Sequence, residues 1–328
     1  MSKRSGAFVV GDYPIFKRFI TYGWIFLVVG LIAGAGLFIS QAQHAQHAQH
    51  EQVQVPHSKG NTLLSSSLVN KQAALPRPDH VVIVMEENHS YADVIGSASA
   101  PYINSLASQG ASFTDSHAIT HPSEPNYLAL FSGSTQGLTS DACPVTYTGD
   151  NLASELIKAG NSFGGYSEEL PAVGSTACYA PSASNALYAR KHNPWVDFSD
   201  LPTNINMPWT NFPSDYSTLP TVSFVVPNQV DDMHSASIQQ GDAWLQNHLD
   251  GYVQWAKTHN SLLIVTWDED DGSTTNQVPT LFVGPMVKAG TYSESINHYA
   301  ILRTLEDLYK LPYVNNSANA VSISDVWT

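Results

Sequence analysis

Four short runs that are apolar almost throughout, His80–Met85 (HVVIVM), Thr221–Val226 (TVSFVV), Ser261–Trp267 (SLLIVTW) and Thr280–Val283 (TLFV), recur along the chain. They constrain its fold more than any other feature, because a strand apolar on both faces must be covered on both faces. The covering layers are supplied by Tyr102–Gln109, Asn151–Ala159, Asp242–His259 and His298–Tyr309, which carry apolar residues at helical spacing. The expected fold is therefore α/β, a mostly parallel central sheet flanked by helices. A Pro- and Trp-rich stretch from Ala172 to Tyr216 shows no period and reads as an irregular insertion over one end of the sheet. Sites in such sheets form at the carboxyl ends of the strands.

The amino-terminal quarter follows different rules. Lys3, Arg4, Lys17 and Arg18 lie in residues 1–18, ahead of an apolar run over residues 19–40 long enough to cross a bilayer core. With the basic flank retained in the cytoplasm, the remainder is placed outside. Ser40, Gln41 and Ala42 also offer a small-x-small cleavage site, so residues 19–40 read either as a signal anchor or as a signal peptide. Residues 41–75, which open with QAQHAQHAQHEQ, read as a low-complexity linker, leaving residues 76–328 as the folded domain. Localisation is expected to be extracytoplasmic, with the membrane as a partner only through an uncleaved N-terminal segment. Cys143 and Cys178 are the only cysteines, and in an exported domain they read as a disulfide.

A net charge of −14 is opposite to that of a phosphate-backbone binder, so nucleic acid is not an expected partner; no protein partner is implied either. Two acidic clusters follow two of the apolar runs: Glu86, Glu87 and Asn88 after the first, and Asp268, Glu269, Asp270 and Asp271 after the third. On neighbouring strands, these carboxylates would converge, which is costly without a compensating cation. Their oxygen ligands suit Mg, Ca, Mn or another hard divalent ion, with zinc also admissible. Solvated loop acids or helix caps are the plainer alternative. Ser123, in HPSEPNY ahead of the apolar run Leu128–Phe131, reads either as a helix cap or as a hydroxyl beside an anion-binding helix amino end. Neither HExxH nor the P-loop occurs.

Six segments, VVIVMEENHSY, THPSEPNYLALFSG, YARKHNPW, VPNQVDDMH, VTWDEDDG and NHYAILRTLEDLYKLP, occur in order between Pro76 and Pro312. Together they resemble the phosphoesterase family of secreted acid phosphatases and bacterial phospholipases C, within the alkaline phosphatase superfamily. The resemblance implies an alkaline-phosphatase-like fold and an exported, metal-dependent phosphomonoesterase acting on phosphomonoester substrates through a phosphoserine intermediate. Phosphoinositide monoesters are within that range, and a phospholipase C-type phosphodiesterase is the runner-up. It also implies metal ligation by Glu87, Asn88, Ser123, Asp268 and Glu269, with Ser123 as nucleophile. Asn126 is expected to donate to a phosphoryl oxygen, and His192, His234 and His298 to line the site. Where the superfamily's second metal site has an Asp and a His four residues apart, this chain has Asn228 and Asp232. The neutral Asn228 argues for one ion per chain, with histidines supplying the positive charge elsewhere given by a second.

Overall fold

A computed structural model describes residues 75–328, and the readings made for residues 1–74 lie outside the described residues. In chain order the principal elements are β1 (His80–Glu86), α1 (Tyr91–Val94), α2 (Pro101–Gln109), β2 (Ala111–His117), α3 (Ser123–Ser132), α4 (Leu152–Lys158), β3 (Phe163–Ser167), β4 (Tyr179–Ala180), β5 (Tyr188–Ala189), β6 (Asn206–Pro208), β7 (Val222–Val226), α5 (Ile238–Ala256), β8 (Ser261–Trp267), β9 (Thr280–Val283), β10 (Gly290–Asn297) and α6 (His298–Tyr309). Eight strands form one sheet in the order β10-β2-β9-β8-β1-β7-β3-β6. Within it β9 runs antiparallel to β8 and β2, and the remaining neighbours pair in parallel.

The apolar runs occupy the middle of this sheet, as their two-sided character requires. Along β1, Val81, Ile83 and Met85 enter one core with α3, α4 and α6, while Val82 and Val84 enter the opposite core with α2 and α5. Strand β8 divides in the same way, Leu262 and Ile264 to the first core and Leu263, Val265 and Trp267 to the second. Helices α4, α5 and α6 begin where the sequence supplies an acceptor for the free N–H groups: Asn151 caps α4, Ser237 caps α5 and Asn297 caps α6. Helix α5 therefore starts ahead of the expected Asp242. Helix α3 is buried along its whole length, so its sequence shows no polar face.

Besides the short β4, β5 and β6, three strands were not foreshadowed by apolar runs. Strands β2 (ASFTDSH), β3 (FGGYS) and β10 (GTYSESIN) are polar or glycine-rich. In β3, Gly165 is demanded by packing, because a Cβ there would stand 2.1 Å from the Trp195 ring. The stretch 172–216 is more than a cover: β6 extends the sheet beside β3, and β4 pairs with β5 as a separate hairpin. Cys143 and Cys178 are joined in a disulfide. Among the described residues no helix is long and apolar enough to cross a membrane.

Candidate active site

Because β1, β7 and β8 are adjacent and parallel, the loops after them open on the same edge of the sheet, and their acids meet there. Glu87 leaves β1 and is fully buried. Its Oε1 accepts a hydrogen bond from the Tyr127 hydroxyl at 2.6 Å, and the Ser123 hydroxyl lies 3.2 Å from its Oε2. Ser123 Oγ also lies 3.1 Å from Glu269 Oε1, so one hydroxyl proton faces two carboxylates. Asn88 adopts φ 54°, a left-handed conformation that Asn tolerates, and its N–H donates to Asp268 Oδ1 at 3.3 Å. The expected metal-ligand set Glu87, Asn88, Ser123, Asp268 and Glu269 is thereby brought together.

Ser123 is the first residue of α3, and Pro122 holds the cap position with no side-chain cap. Of the two readings left open by the sequence, the cap is excluded, since the hydroxyl turns to the acids instead. A cleft of about 550 Å³ opens beside it, lined by Asn88, His121, Glu269 and Asp271 among others.

His192 and Asp232 close the other side of Glu87. His192 stacks on Tyr127, ring centroids 4.9 Å apart, with Nε2 3.0 Å from Glu87 Oε1 but not aligned for a hydrogen bond. Its Nδ1 lies 3.6 Å from Asp232 Oδ2. Glu87, His192 and Asp232 present ligand atoms within 4.8 Å of one another. Asp232 Oδ1 accepts from the His234 N–H at 2.8 Å, which fixes the turn through Met233, held at φ 77°.

Burial and crowding set the protonation pattern. Burial, reinforced by Glu87, pushes Asp268 and Asp232 well above the usual carboxylate range, and burial also raises Glu269. Glu87 is the exception: burial would raise it, but the neighbouring His192 outweighs this and holds it low. The acids thus share a deficit of positive charge.

Two expected residues occupy different roles. Asn126 is buried, and its amide is fully engaged by the loop before Ser123: Oδ1 accepts from the N–H groups of Ile119 and Thr120, both at 3.0 Å, and Nδ2 donates to the carbonyls of Thr120 and Pro122. It positions Ser123 and has no donor left for a phosphoryl oxygen. His298, expected to line the site, lies behind it, Nε2 2.8 Å from the Asp268 carbonyl, and burial pulls its pKa down to about 4. It supplies a neutral support rather than a cation. His234 is likewise lowered, by burial and by His192 and Lys191.

The sequence reading missed His121. Its Nδ1 contacts Glu269 Oε2 and its Nε2 lies 3.0 Å from the Ser273 carbonyl, so both ring nitrogens face acceptors. Burial alone would lower it, but these two partners raise it, which favours its protonated form. Two residues before Ser123 in the same motif, it was within reach of sequence reasoning. Tyr127, Asn276 and Lys191 were also missed. Asn276 ties the loop after β8 to the Ser123 loop, accepting from the Asp270 N–H and donating to the Thr120 carbonyl, both at 2.8 Å.

The sequence pattern of the Phosphoesterase family matches residues 97–312. A phosphatidylinositol-3-phosphatase of Mycobacterium tuberculosis is 57% identical over 258 residues, covering 78% of this chain and 85% of that protein. A phosphate-repressible acid phosphatase of Penicillium chrysogenum is 30% identical over 224 residues, 64% of this chain and 54% of the fungal one, so the chain spans about half the length of that relative. Among solved structures, a protein in the alkaline phosphatase superfamily from Vibrio parahaemolyticus superposes with a TM-score of 0.52 at 12% identity, over 75% of this chain and 71% of that one. The architecture is alkaline-phosphatase-like, and the chain belongs to the phosphoesterase family.

Proposed function

We propose that this phosphoric monoester hydrolase works through a serine nucleophile, Ser123, that one divalent cation assists, and that phosphoinositide monoesters are among its substrates. The observation that carries the reading is the position of the Ser123 hydroxyl, at the first turn of a ten-residue helix and between Glu87 and Glu269. The substrate class rests on the 57% identical phosphatidylinositol-3-phosphatase.

The residues present fit a cation. Asn88 Oδ1, Asp232 Oδ2 and Asp268 Oδ2 are buried oxygens without a hydrogen-bond partner, and the oxygen-rich donor set is that of a hard divalent ion. Glu87, Asn88, Asp268 and Glu269, with Ser123, would hold it. Bound there, it would lower the pKa of a coordinated hydroxyl and neutralise phosphoryl charge. Its identity as Mg, Ca, Mn or Zn is a matter for elemental analysis. The triad Glu87, His192 and Asp232 is the second position the geometry offers.

The chain's own residues account for the other steps. The Ser123 proton passes to one of the two carboxylates it faces, and the oxygen attacks phosphorus in line to give a phosphoserine. One of two site histidines, the buried His192 or the partly exposed His234, protonates the leaving alcohol. Asn126 and Asn276 fix the loop that aims Ser123, and Tyr127 and His192 fix Glu87. Water then releases inorganic phosphate. Export is supported by the Cys143–Cys178 disulfide, which requires an oxidising compartment. Replacing Ser123 with Ala is expected to lower p-nitrophenyl phosphate turnover at least a thousandfold with bound metal unchanged; retention of more than a tenth of the activity would overturn the reading.

A further inference from the structure

The acids at the site demand positive charge before a phosphate dianion can approach, and imidazole rings supply only part of it. Lys191 is the fixed cation that acts on this cluster: its charge lowers Glu87 and Asp232 and also lowers His234. The side chain is mostly covered, 12% exposed, and it immediately precedes His192. Burial would pull its ammonium down, yet Glu87, Asp141 and Asp268 together raise it, so it stays charged.

Its direct partner is an anion placed beside the nucleophile. Lys191 Nζ lies 2.7 Å from Asp141 Oδ2, and Asp141 Oδ1 accepts at 3.1 Å from the N–H of Glu124, the residue after Ser123. One carboxylate thus takes both an ammonium and a first-turn helix N–H, the two donors that a phosphoryl oxygen next to Ser123 would seek. Both arms of this pair are anchored by covalent structure. Asp141 is two residues from Cys143, and the N–H of Arg190, beside Lys191, donates to the Cys178 carbonyl at 2.9 Å. Arg190 itself is buried, with Nε 2.9 Å from Asp197 Oδ1 and further donors on the carbonyls of Val145, Thr176 and Val196.

We propose that Lys191 binds the substrate's phosphoryl group and that Asp141 is a resident anion which holds Lys191 when substrate is absent and is displaced when it binds. This rests on the phosphomonoesterase reading and adds to it a cation that belongs to the chain itself. Displacement makes Asp141 a competitor of phosphate, so the two residues have opposite effects on affinity, a pattern a merely structural ion pair would not give.

The test measures inorganic phosphate binding by calorimetry, alongside KM and kcat for p-nitrophenyl phosphate, on the metal-loaded full chain. Lys191→Met is expected to weaken phosphate binding and raise KM at least tenfold, with Lys191→Arg recovering most of both. Asp141→Asn is expected to tighten phosphate binding at least threefold and lower KM. Lys191→Met values within twofold of the unaltered protein, or weaker phosphate binding in Asp141→Asn, would overturn the proposal; if Lys191→Met does not fold, Asp141→Asn decides alone. Failure of the underlying reading is separable, because it appears as retained turnover in Ser123→Ala whatever the phosphate affinities.

Discussion

Removing the disulfide tests how the insertion is tied to the site. Cys143 and Cys178 are separated by 35 residues, and opening a loop of that size releases roughly 4 kcal/mol of unfolded-state constraint in the chain-entropy account. For a domain of about 250 residues, each kcal/mol shifts the thermal midpoint by about 2–4 °C, so the expected loss is about 8–16 °C. The Cys143→Ser/Cys178→Ser protein should show this in scanning calorimetry at fixed pH and metal concentration. It should also bind substrate less well, because Arg190 N donates to the Cys178 carbonyl and Asp141 lies two residues from Cys143. A several-fold rise in KM with kcat nearly preserved is the expected split. A midpoint within about 2 °C of the unaltered protein, together with an unchanged KM, would refute both the stabilising role and the coupling.

Metal content distinguishes the two cation positions: Asp268→Ala should lose the ion while His192→Ala retains it, as read by elemental analysis of protein dialysed against trace metal, and two tightly held ions per chain would contradict the single-ion reading. Asn126→Ala should cost about 2 kcal/mol, because it leaves two part-buried N–H groups and two carbonyls of the 119–122 loop short of partners, and kcat should fall with it. Burial raises Glu306 to about 7, so its protonated form is favoured on folding. Stability from this group is present below the unfolded value of about 4.5 and declines as pH rises through 7. Glu306→Gln should remove ~2 kcal/mol of that decline in urea titrations across pH 4.5–8, and an unchanged slope would count against it.

What was legible in the sequence follows from what each residue must do alone. Val81–Met85 and Leu262–Trp267 announce themselves because both faces of their strands are buried, and the starts of α4 and α6 were read close to their caps, Asn151 and Asn297, whereas the Ser237 cap of α5 was passed over in favour of Asp242. Strand β10 has alternating exposure at the sheet edge, and β3 needs glycine to pass Trp195, so neither has an apolar run to read. The same division holds at the site. Glu87, Asp268 and Ser123 were visible as chemistry at strand ends and in motifs. The real partners of Asn126 and His298 were not visible, because a side chain's hydrogen bonds depend on where a loop turns. His121 lay in a quoted motif but became an expected cation only when Glu269 and the Ser273 carbonyl were seen on its two nitrogens. Lys191 and Asp141 are 50 residues apart, and the pairing appears only once the disulfide brings the two segments side by side.

The central claim is that Ser123 carries the phosphoryl group between substrate and water. Rapid acid quenching during turnover of p-nitrophenyl phosphate, followed by peptide mass spectrometry, measures it directly. One phosphoryl group on Ser123, appearing within the first turnover and absent from Ser123→Ala, is the expected result. Full turnover with Ser123 unmodified at every quench time, or with the phosphoryl group on His192 or His234 instead, would contradict it.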